Sequence, residues 1–185
     1  VLENADVKYA IVQNQEQTDK LLEIKDRLPH LEHICYEEPR GMRDYTQEFI
    51  HYYKDIQEKG SIFHIENPDF YLHEIEQGQG SDIAIFLYTS GTTGKPKGVV
   101  LTQENLLITS LNSLAFDNIT GEEEVLAYLP MAWVGDNLFS FAQAYVAGFC
   151  VNCPESPETV MTDLREIGPT YYFAPPAVYE SVLTK

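Results

Sequence analysis

The stretch that decides the fold runs from Ile83 to Leu101 and reads IAIFLY at 83–88, TSGTTGKPKG at 89–98 and VVL at 99–101. Its first six residues are almost wholly apolar, which predicts a buried strand. The next ten contain three glycines, four hydroxyl side chains and two lysines. A strand fixed in a sheet therefore leads into a polar loop whose middle stays exposed.

The composition of this loop favours a phosphate-binding site. Glycines let several backbone amides point at one anion, and Lys95 and Lys97 add positive charge around the rigid Pro96. Hydroxyl groups can donate to phosphate oxygens or bind Mg²⁺, and here they belong to Thr89, Ser90, Thr92 and Thr93. The spacing matches neither the common P-loop nor the dinucleotide fingerprint, so a plain surface turn stays open on composition alone.

Strand and helix patterns alternate on both sides of the loop. Val7–Val12 is a predicted strand, Glu16–Leu28 a helix and His33–Tyr36 a strand, which together form a β-α-β unit with parallel strands. A capping box at Asp44 and Gln47 predicts a helix that Gly60 ends. Aromatic and aliphatic residues recur along it at helical spacing and are predicted to lie in the core: Tyr45, Phe49, Tyr52, Tyr53 and Ile56.

The second half continues the alternation. Pro68 starts a short helix that ends at Gly78–Gly80, and Thr102 caps a helix after the loop. Further strands are predicted at Val125–Leu129, Phe149–Val151 and Tyr171–Phe173, and further helices at Asn137–Ala147, Pro157–Ile167 and Ala177–Leu183. The fold class is α/β with a mostly parallel sheet, divided into a β-α-β lobe with a helical extension at 1–78 and a phosphate-loop lobe at 79–185.

The charge and the cysteines exclude several classes of protein. Twelve basic and 29 acidic residues give a net charge of −17, which disfavours nucleic-acid binding. Cys35, Cys150 and Cys153 cannot build a disulfide framework, and no apolar run is long enough for a transmembrane segment. We expect a cytoplasmic protein with, at most, peripheral membrane contact.

Two other patterns could indicate a redox or metal-binding site, but a role without such chemistry is favoured for both. Cys150 and Cys153 form a CxxC that could be a redox pair or half a zinc site, but Cys150 lies in a predicted strand and a structural role is favoured. All five histidines lie between His30 and His73 without a metal-binding pattern, so solvated surface is the expectation, and no metal ligands are predicted.

The loop and its flanks resemble a known family. The string from Tyr88 to Val99 is similar to the signature loop of the AMP-forming, adenylate-producing superfamily, which includes acyl-CoA synthetases, luciferases and the adenylation domains of peptide synthetases. The segments TQENL at 102–106, LPMAW at 129–133 and YFAPP at 172–176 resemble the same family. The sequence as a whole looks most like that of a bacterial long-chain acyl-CoA synthetase.

This resemblance implies a two-step ligase that uses ATP, Mg²⁺ and coenzyme A to activate a carboxylic acid, here a medium or long-chain fatty acid. It also implies a truncated N-terminal adenylation domain, which we expect to be inactive alone, because the segments that carry the main catalytic residues have no counterpart here. The residues that it assigns to phosphate binding are Thr89, Ser90, Gly91, Thr92, Thr93, Gly94 and Lys97; Lys95 occupies a variable position.

The resemblance further implies that Trp133, Val134 and Gly135 line a substrate pocket. Tryptophan cannot act as a base, so Trp133 can only shape the pocket wall, and an ordinary core tryptophan remains the alternative. Two other functions also stay open. One is activation of an aryl or amino acid, and the other is a non-catalytic module that binds nucleotide or phosphate.

Overall fold

The computed structural model describes residues 1–89, 94 and 96–184, which divide into two compact units. The first unit contains residues 1–78 and the described residues of 91–98. The second contains the described residues of 79–90 and of 99–185. None of the helices within the described ranges has both the length and the apolar character that a membrane span requires.

A three-stranded parallel sheet organises the first unit. Strands β1 (Tyr9–Val12), β2 (His33–Tyr36) and β3 (Ile50–Tyr52) lie in the order β1-β2-β3. Helix α1 (Leu2–Ala5) precedes them, and α2 (Gln15–Glu23) with a 3₁₀ turn at Lys25–Arg27 connects β1 to β2. This arrangement confirms the predicted parallel β-α-β unit.

The core of the first unit lies on one face of this sheet. Leu21, Leu28, Leu31 and Ile34 are buried there. Asn14 caps α2, because its Oδ1 accepts a hydrogen bond from the backbone N–H of Gln17 at 3.3 Å. The cap and the leucine spacing together place α2 over the sheet.

The prediction for residues 44–60 was wrong. Residues 50–52 form β3, and the helix starts only afterwards, as α3 (Tyr53–Glu66), followed by α4 (Phe70–Gln77). Ile34 donates its N–H to the Phe49 carbonyl at 2.8 Å, so pairing with β2 overrides the helical periodicity. Gly60 lies inside α3 and does not end it. Contrary to expectation, Tyr53 is exposed and α3 has no buried residue.

Two of the five histidines differ from the expected solvated surface, whereas His30, His64 and His73 are exposed as predicted. His33 Nδ1 and His51 Nε2 are 2.8 Å apart on neighbouring strands, and Tyr9 stacks on His33. Burial, followed by the charges of His33 and Lys59, lowers the pKa of His51. Within the described ranges, no three histidine, cysteine, aspartate or glutamate residues are grouped so that they could hold a metal ion.

The second unit contains two further sheets. Strand β4 (Ile83–Thr89) pairs with β5 (Lys97–Thr102), and β6 (Glu124–Leu126) pairs in parallel with β7 (Cys150–Asn152). The strand predicted at Tyr171–Phe173 does not form. Only one residue of it, Tyr171, pairs with the neighbouring strand β6, at Val125. Cys150 lies in β7 as predicted, but it is exposed rather than packed, and all three cysteines are free.

Helices make up most of the rest of the second unit. Helix α5 (Gln103–Asp117) starts with a capping box in which Thr102 and Asn105 exchange hydrogen bonds. A continuous helical run follows the LPMAW segment and consists of α6 (Val134–Asp136), a π-helix (Asn137–Ala142) and α7 (Gln143–Ala147). Helices α8 (Val160–Ile167) and α9 (Pro176–Leu183) complete the unit. Ile119, Val125 and Phe149 form its core.

Candidate functional site

An apolar cavity of about 750 Å³ lies in the second unit at the end of β4. Its walls come from the ends of β4 and β5, the LPMAW segment, the helical run that follows and the segment after Tyr171. We name it the apolar cavity, and its lining residues are Leu87, Tyr88, Thr89, Val99, Leu101, Leu129, Ala132, Trp133, Val134, Gly135, Phe139, Phe173 and Pro175. Among the residues that the structure describes, no charged side chain lines it.

The LPMAW segment is held in a tight turn by its own backbone and by one side chain. The Trp133 N–H donates to the Pro130 carbonyl at 2.9 Å. The Nδ2 of Asn137 donates to the carbonyl oxygens of Met131 at 2.8 Å and Trp133 at 2.9 Å. Asn137 thereby fixes the turn onto the start of the helical run.

Two phenyl rings close one side of the apolar cavity. Phe139 and Phe173 stack with their ring centroids 4.0 Å apart and their planes 20° from parallel. Gly135 brings the helix backbone close to this wall, since a Cβ at Gly135 would lie 3.3 Å from Leu129 Cδ1 and 3.6 Å from Phe173 Cε1. The lack of a side chain at position 135 therefore keeps this part of the cavity open.

Tyr128 fixes the segment that carries Phe173. Its hydroxyl donates to the Phe173 carbonyl at 3.2 Å, and its ring stacks on Tyr172 at 5.4 Å. Burial, and then the neighbouring Tyr172, raises the pKa of Tyr128 far above that of an ordinary tyrosine. The phenol therefore stays protonated and keeps donating this hydrogen bond over the whole physiological pH range.

The structure brings four of the predicted site residues to one place. Thr89, Trp133, Val134 and Gly135 all line the apolar cavity. Trp133 is 54% exposed, so it is a wall residue rather than a core tryptophan.

The remaining predicted residues belong to the loop. Ser90, Gly91, Thr92 and Thr93, together with Lys95, lie outside the described residues. Gly94 has a φ of +81°, a conformation that favours glycine, and Lys97 is the exposed first residue of β5. Neither Gly94 nor Lys97 lines the apolar cavity. The phosphate-binding role of all these residues stays a prediction.

Sequence reasoning missed several residues that shape the site. Phe139 and Phe173 are far apart in the chain and carry no motif that would pair them. Asn137 had a weak signal, because a polar residue four positions after Trp133 lies one helical turn away and can reach back to its carbonyl. Tyr128 lies directly before the LPMAW segment, but its partner Phe173 becomes apparent only when the chain is folded.

Solved structures of acyl-CoA ligases share this fold. An anthranilate–CoA ligase in complex with anthranoyl-AMP superposes with a TM-score of 0.66 and 21% identity over 94% of this chain and 32% of that chain. ATP-bound MatB from Rhodopseudomonas palustris superposes with a TM-score of 0.65 and 17% identity over 100% of this chain and 33% of that chain. The fold class is therefore α/β with parallel sheets, as predicted, and corresponds to the N-terminal domain of such ligases.

The sequence comparisons identify the family. The model of the AMP-binding enzyme family matches residues 1–185, and the chain belongs to this family. A long-chain-fatty-acid–CoA ligase of Gallus gallus, ACSBG2, is 32% identical over 100% of this chain and 25% of its own length. A long-chain-fatty-acid–CoA ligase of Rattus norvegicus, ACSBG1, is 32% identical over 95% of the chain. The chain spans about a quarter of the length of these curated relatives.

Proposed function

We propose that this chain is part of an ATP-dependent ligase that activates a medium or long-chain fatty acid, first as acyl-AMP and then as a thioester with coenzyme A. The observation that carries the proposal is the junction at Thr89. This residue ends β4, lines the apolar cavity and is the first residue of the glycine-rich loop. The chain that leaves the apolar cavity at Thr89 therefore continues directly into the loop that is predicted to bind phosphates.

The lining of the apolar cavity suits a hydrocarbon chain. Its volume of about 750 Å³ lies within the range of small-molecule sites, and its walls are almost wholly apolar. Each methylene group that leaves water for such a cavity contributes about 0.8 kcal/mol. The carboxylate of the acid would stay at the Thr89 end, because no described residue offers it a positive charge deeper in the cavity.

The proposed chemistry has two balanced steps. A carboxylate oxygen attacks the α-phosphorus of ATP and the bond to the β-phosphate oxygen breaks, which gives acyl-AMP and pyrophosphate. A thiolate then attacks the acyl carbon and AMP leaves. In the first step the amides and Lys97 of the loop would stabilise the negative charge that grows on the departing pyrophosphate.

The described residues do not provide a site for Mg²⁺. They contain no group of three or more acidic, histidine or cysteine residues that could hold a metal ion. Among the described lining residues of the apolar cavity, Tyr88 and Thr89 carry a hydroxyl, and two hydroxyl groups do not make a metal site. Mg²⁺ therefore stays an expectation from the family resemblance, and neither step above depends on it here.

Acid-dependent exchange of pyrophosphate into ATP tests the proposal directly. The assay uses the complete protein to which this chain belongs, with panels of fatty, aryl and amino acids. We expect exchange that requires a fatty acid and increases with chain length until the apolar cavity is full. A Lys97→Ala variant should lose at least about tenfold in exchange, since one charge-assisted contact contributes about 1.5–3 kcal/mol. Lys8→Ala, in the other half of the chain and outside the loop, serves as the matched control.

The alternatives give different results in the same assay. Exchange that requires an aryl or amino acid would move the substrate class away from fatty acids while keeping the reaction. ATP binding without exchange for any acid would contradict the ligase proposal and favour a non-catalytic nucleotide-binding module.

A further inference from the structure

A second cavity, of about 610 Å³, lies on the other side of Leu129 in the same unit. We name it the acidic cavity. Its polar lining consists of two carboxylates, two serine hydroxyls, a thiol and two tyrosines: Asp136, Glu155, Ser140, Ser156, Cys153, Tyr128 and Tyr145. Nothing in the ligase reaction proposed above uses these residues.

Two polar side chains on the wall of the acidic cavity belong to residues with little exposed surface and have no protein partner within the described ranges. Asp136 is 3% exposed and Ser140 is 5% exposed, and the two residues lie four positions apart on one side of the helical run. Within the described ranges, neither side chain makes a hydrogen bond or an ion pair with another residue. Both residues line the same cavity, so their carboxylate and hydroxyl are free to accept hydrogen bonds from a ligand that enters it.

An ordinary structural reason for Asp136 is too weak to explain its burial. It lies in the first turn of the helical run, where a negative charge interacts favourably with the helix dipole. An exposed carboxylate would gain the same interaction without losing its water. Asp136 makes no capping hydrogen bond at the start of the π-helix either, so the helix end does not account for a buried position.

The sign of the charge defines the ligand. No lysine, arginine or histidine lines the acidic cavity in the part of the chain that the structure describes. Two carboxylate side chains, Asp136 and Glu155, do line it. The lining therefore offers no positive charge to an anion such as a phosphate, a fatty acid or a nucleotide. A protonated amine offers donors for both Asp136 and Ser140 and a positive charge for the carboxylate.

The rest of the lining favours an amine with an apolar body. Phe141 and Val151 provide apolar wall, and the exposed ring of Tyr145 stands at the mouth, where it can interact with a cation. We propose that the acidic cavity is a binding site for a small organic ammonium ion, with its charged group on Asp136 and Ser140 and its hydrocarbon part against the apolar wall.

Benzylamine is a suitable probe, and benzyl alcohol and benzoate are its neutral and anionic counterparts. Titration calorimetry on the complete protein should show saturable binding of benzylamine, weaker binding of benzyl alcohol and none of benzoate. Asp136→Asn should raise the Kd of benzylamine by at least about tenfold, because it removes a charge-assisted hydrogen bond. Glu166→Gln, which removes an exposed carboxylate on α8 outside the cavity, should leave the Kd unchanged.

Cys153 provides a second measurement that needs no variant. It lines the acidic cavity and is exposed, so iodoacetamide should alkylate it, and benzylamine should slow that reaction. Cys150, which is exposed but does not line the cavity, is the internal control, because benzylamine should leave its alkylation rate unchanged in the same sample.

Three results would overturn the proposal. One is equal binding of benzylamine and benzoate. Another is an unchanged Kd in Asp136→Asn. The third is a Cys153 that iodoacetamide cannot reach in the complete protein, since another part of that protein would then fill the cavity. ATP–pyrophosphate exchange does not enter any of these measurements, so the result is independent of the proposed ligase activity.

Discussion

The segment from Leu129 to Ser140 separates two cavities of similar size, but presents different chemistry to each. Toward the apolar cavity it presents Trp133, Val134, Gly135 and Phe139. Toward the acidic cavity it presents Asp136 and Ser140. Gly135 and Phe139, like Asp136 and Ser140, lie four positions apart, so each pair occupies one face of the helical run.

Under the two proposals above, one turn of helix serves two sites. Neighbouring residues in the sequence differ by about 100° around the helix axis, so Gly135 and Asp136 point to different sides although they are adjacent. The apolar face needs space and hydrocarbon, whereas the acidic face needs a partner for its polar groups. Substitutions at adjacent positions should therefore have unlike effects, and three of them test this expectation.

The largest effect should follow from filling the apolar face with Gly135→Leu. A leucine side chain displaces about four carbons of a bound acyl chain, which at about 0.8 kcal/mol each amounts to about 3 kcal/mol. We expect kcat/KM for long fatty acids to fall by about 100-fold, with a smaller loss for short ones. Steady-state ligase assays across chain lengths measure this, and Gly60→Leu on an exposed helix is the control. An equal loss for all chain lengths would show that Gly135 does not limit the acyl site.

A smaller effect should follow from releasing the turn between the two faces. Asn137→Ala removes two hydrogen bonds to backbone carbonyls, worth about 1–3 kcal/mol together, and gains at most about 0.7 kcal/mol of helix propensity. We expect the free energy of unfolding of the 185-residue chain to fall by about 1–2 kcal/mol in urea. Asn112→Ala, at an exposed position of α5, should be neutral or slightly stabilising. Equal behaviour of the two variants would contradict the role of Asn137 in holding the turn.

The smallest effect, and one of opposite sign, should come from the acidic face. Asp136→Asn removes an unpaired buried charge, which costs about 1–3 kcal/mol, and loses a helix-end interaction of about 0.3–1 kcal/mol. Without ligand, the variant should therefore be more stable than the wild type by about 1 kcal/mol. Urea unfolding with Glu166→Gln as the control measures it, and a less stable Asp136→Asn would mean that Asp136 has a structural partner.

Local patterns allowed the sequence to predict some elements well. The parallel β-α-β unit followed from apolar runs and helical spacing, and the Thr102 cap followed from its residue type. Strand β3 was missed because residues 44–56 carry helical periodicity, and only the neighbouring strand β2 supplies the hydrogen bonds that decide otherwise. The opposite error occurred at Tyr171–Phe173. A strand was predicted there from the composition, but only Tyr171 pairs with a neighbouring strand, at Val125.

The site residues also divide into those that a local pattern predicts and those that only the folded chain reveals. Thr89, Trp133, Val134 and Gly135 could be predicted because they lie within or beside short motifs. Phe139, Phe173 and Tyr128 contribute through contacts across about 35 to 45 residues of sequence, which no local pattern encodes. Asp136 was overlooked because an aspartate at a helix start normally has an ordinary explanation, and only its burial distinguishes it.

The π-helix at Asn137–Ala142 holds one residue more than an α-helix would place over the same length. Deleting one residue within 137–142 would restore regular α geometry and leave the residues that follow on the same face of the helix. Gln143, fully buried with its amide on the Ser113 hydroxyl, would then keep that partner. A one-residue deletion in the regular helix α7 would instead rotate every later residue of that helix by about 100°. The π-helix should therefore tolerate the loss of one residue better than the α-helix beside it.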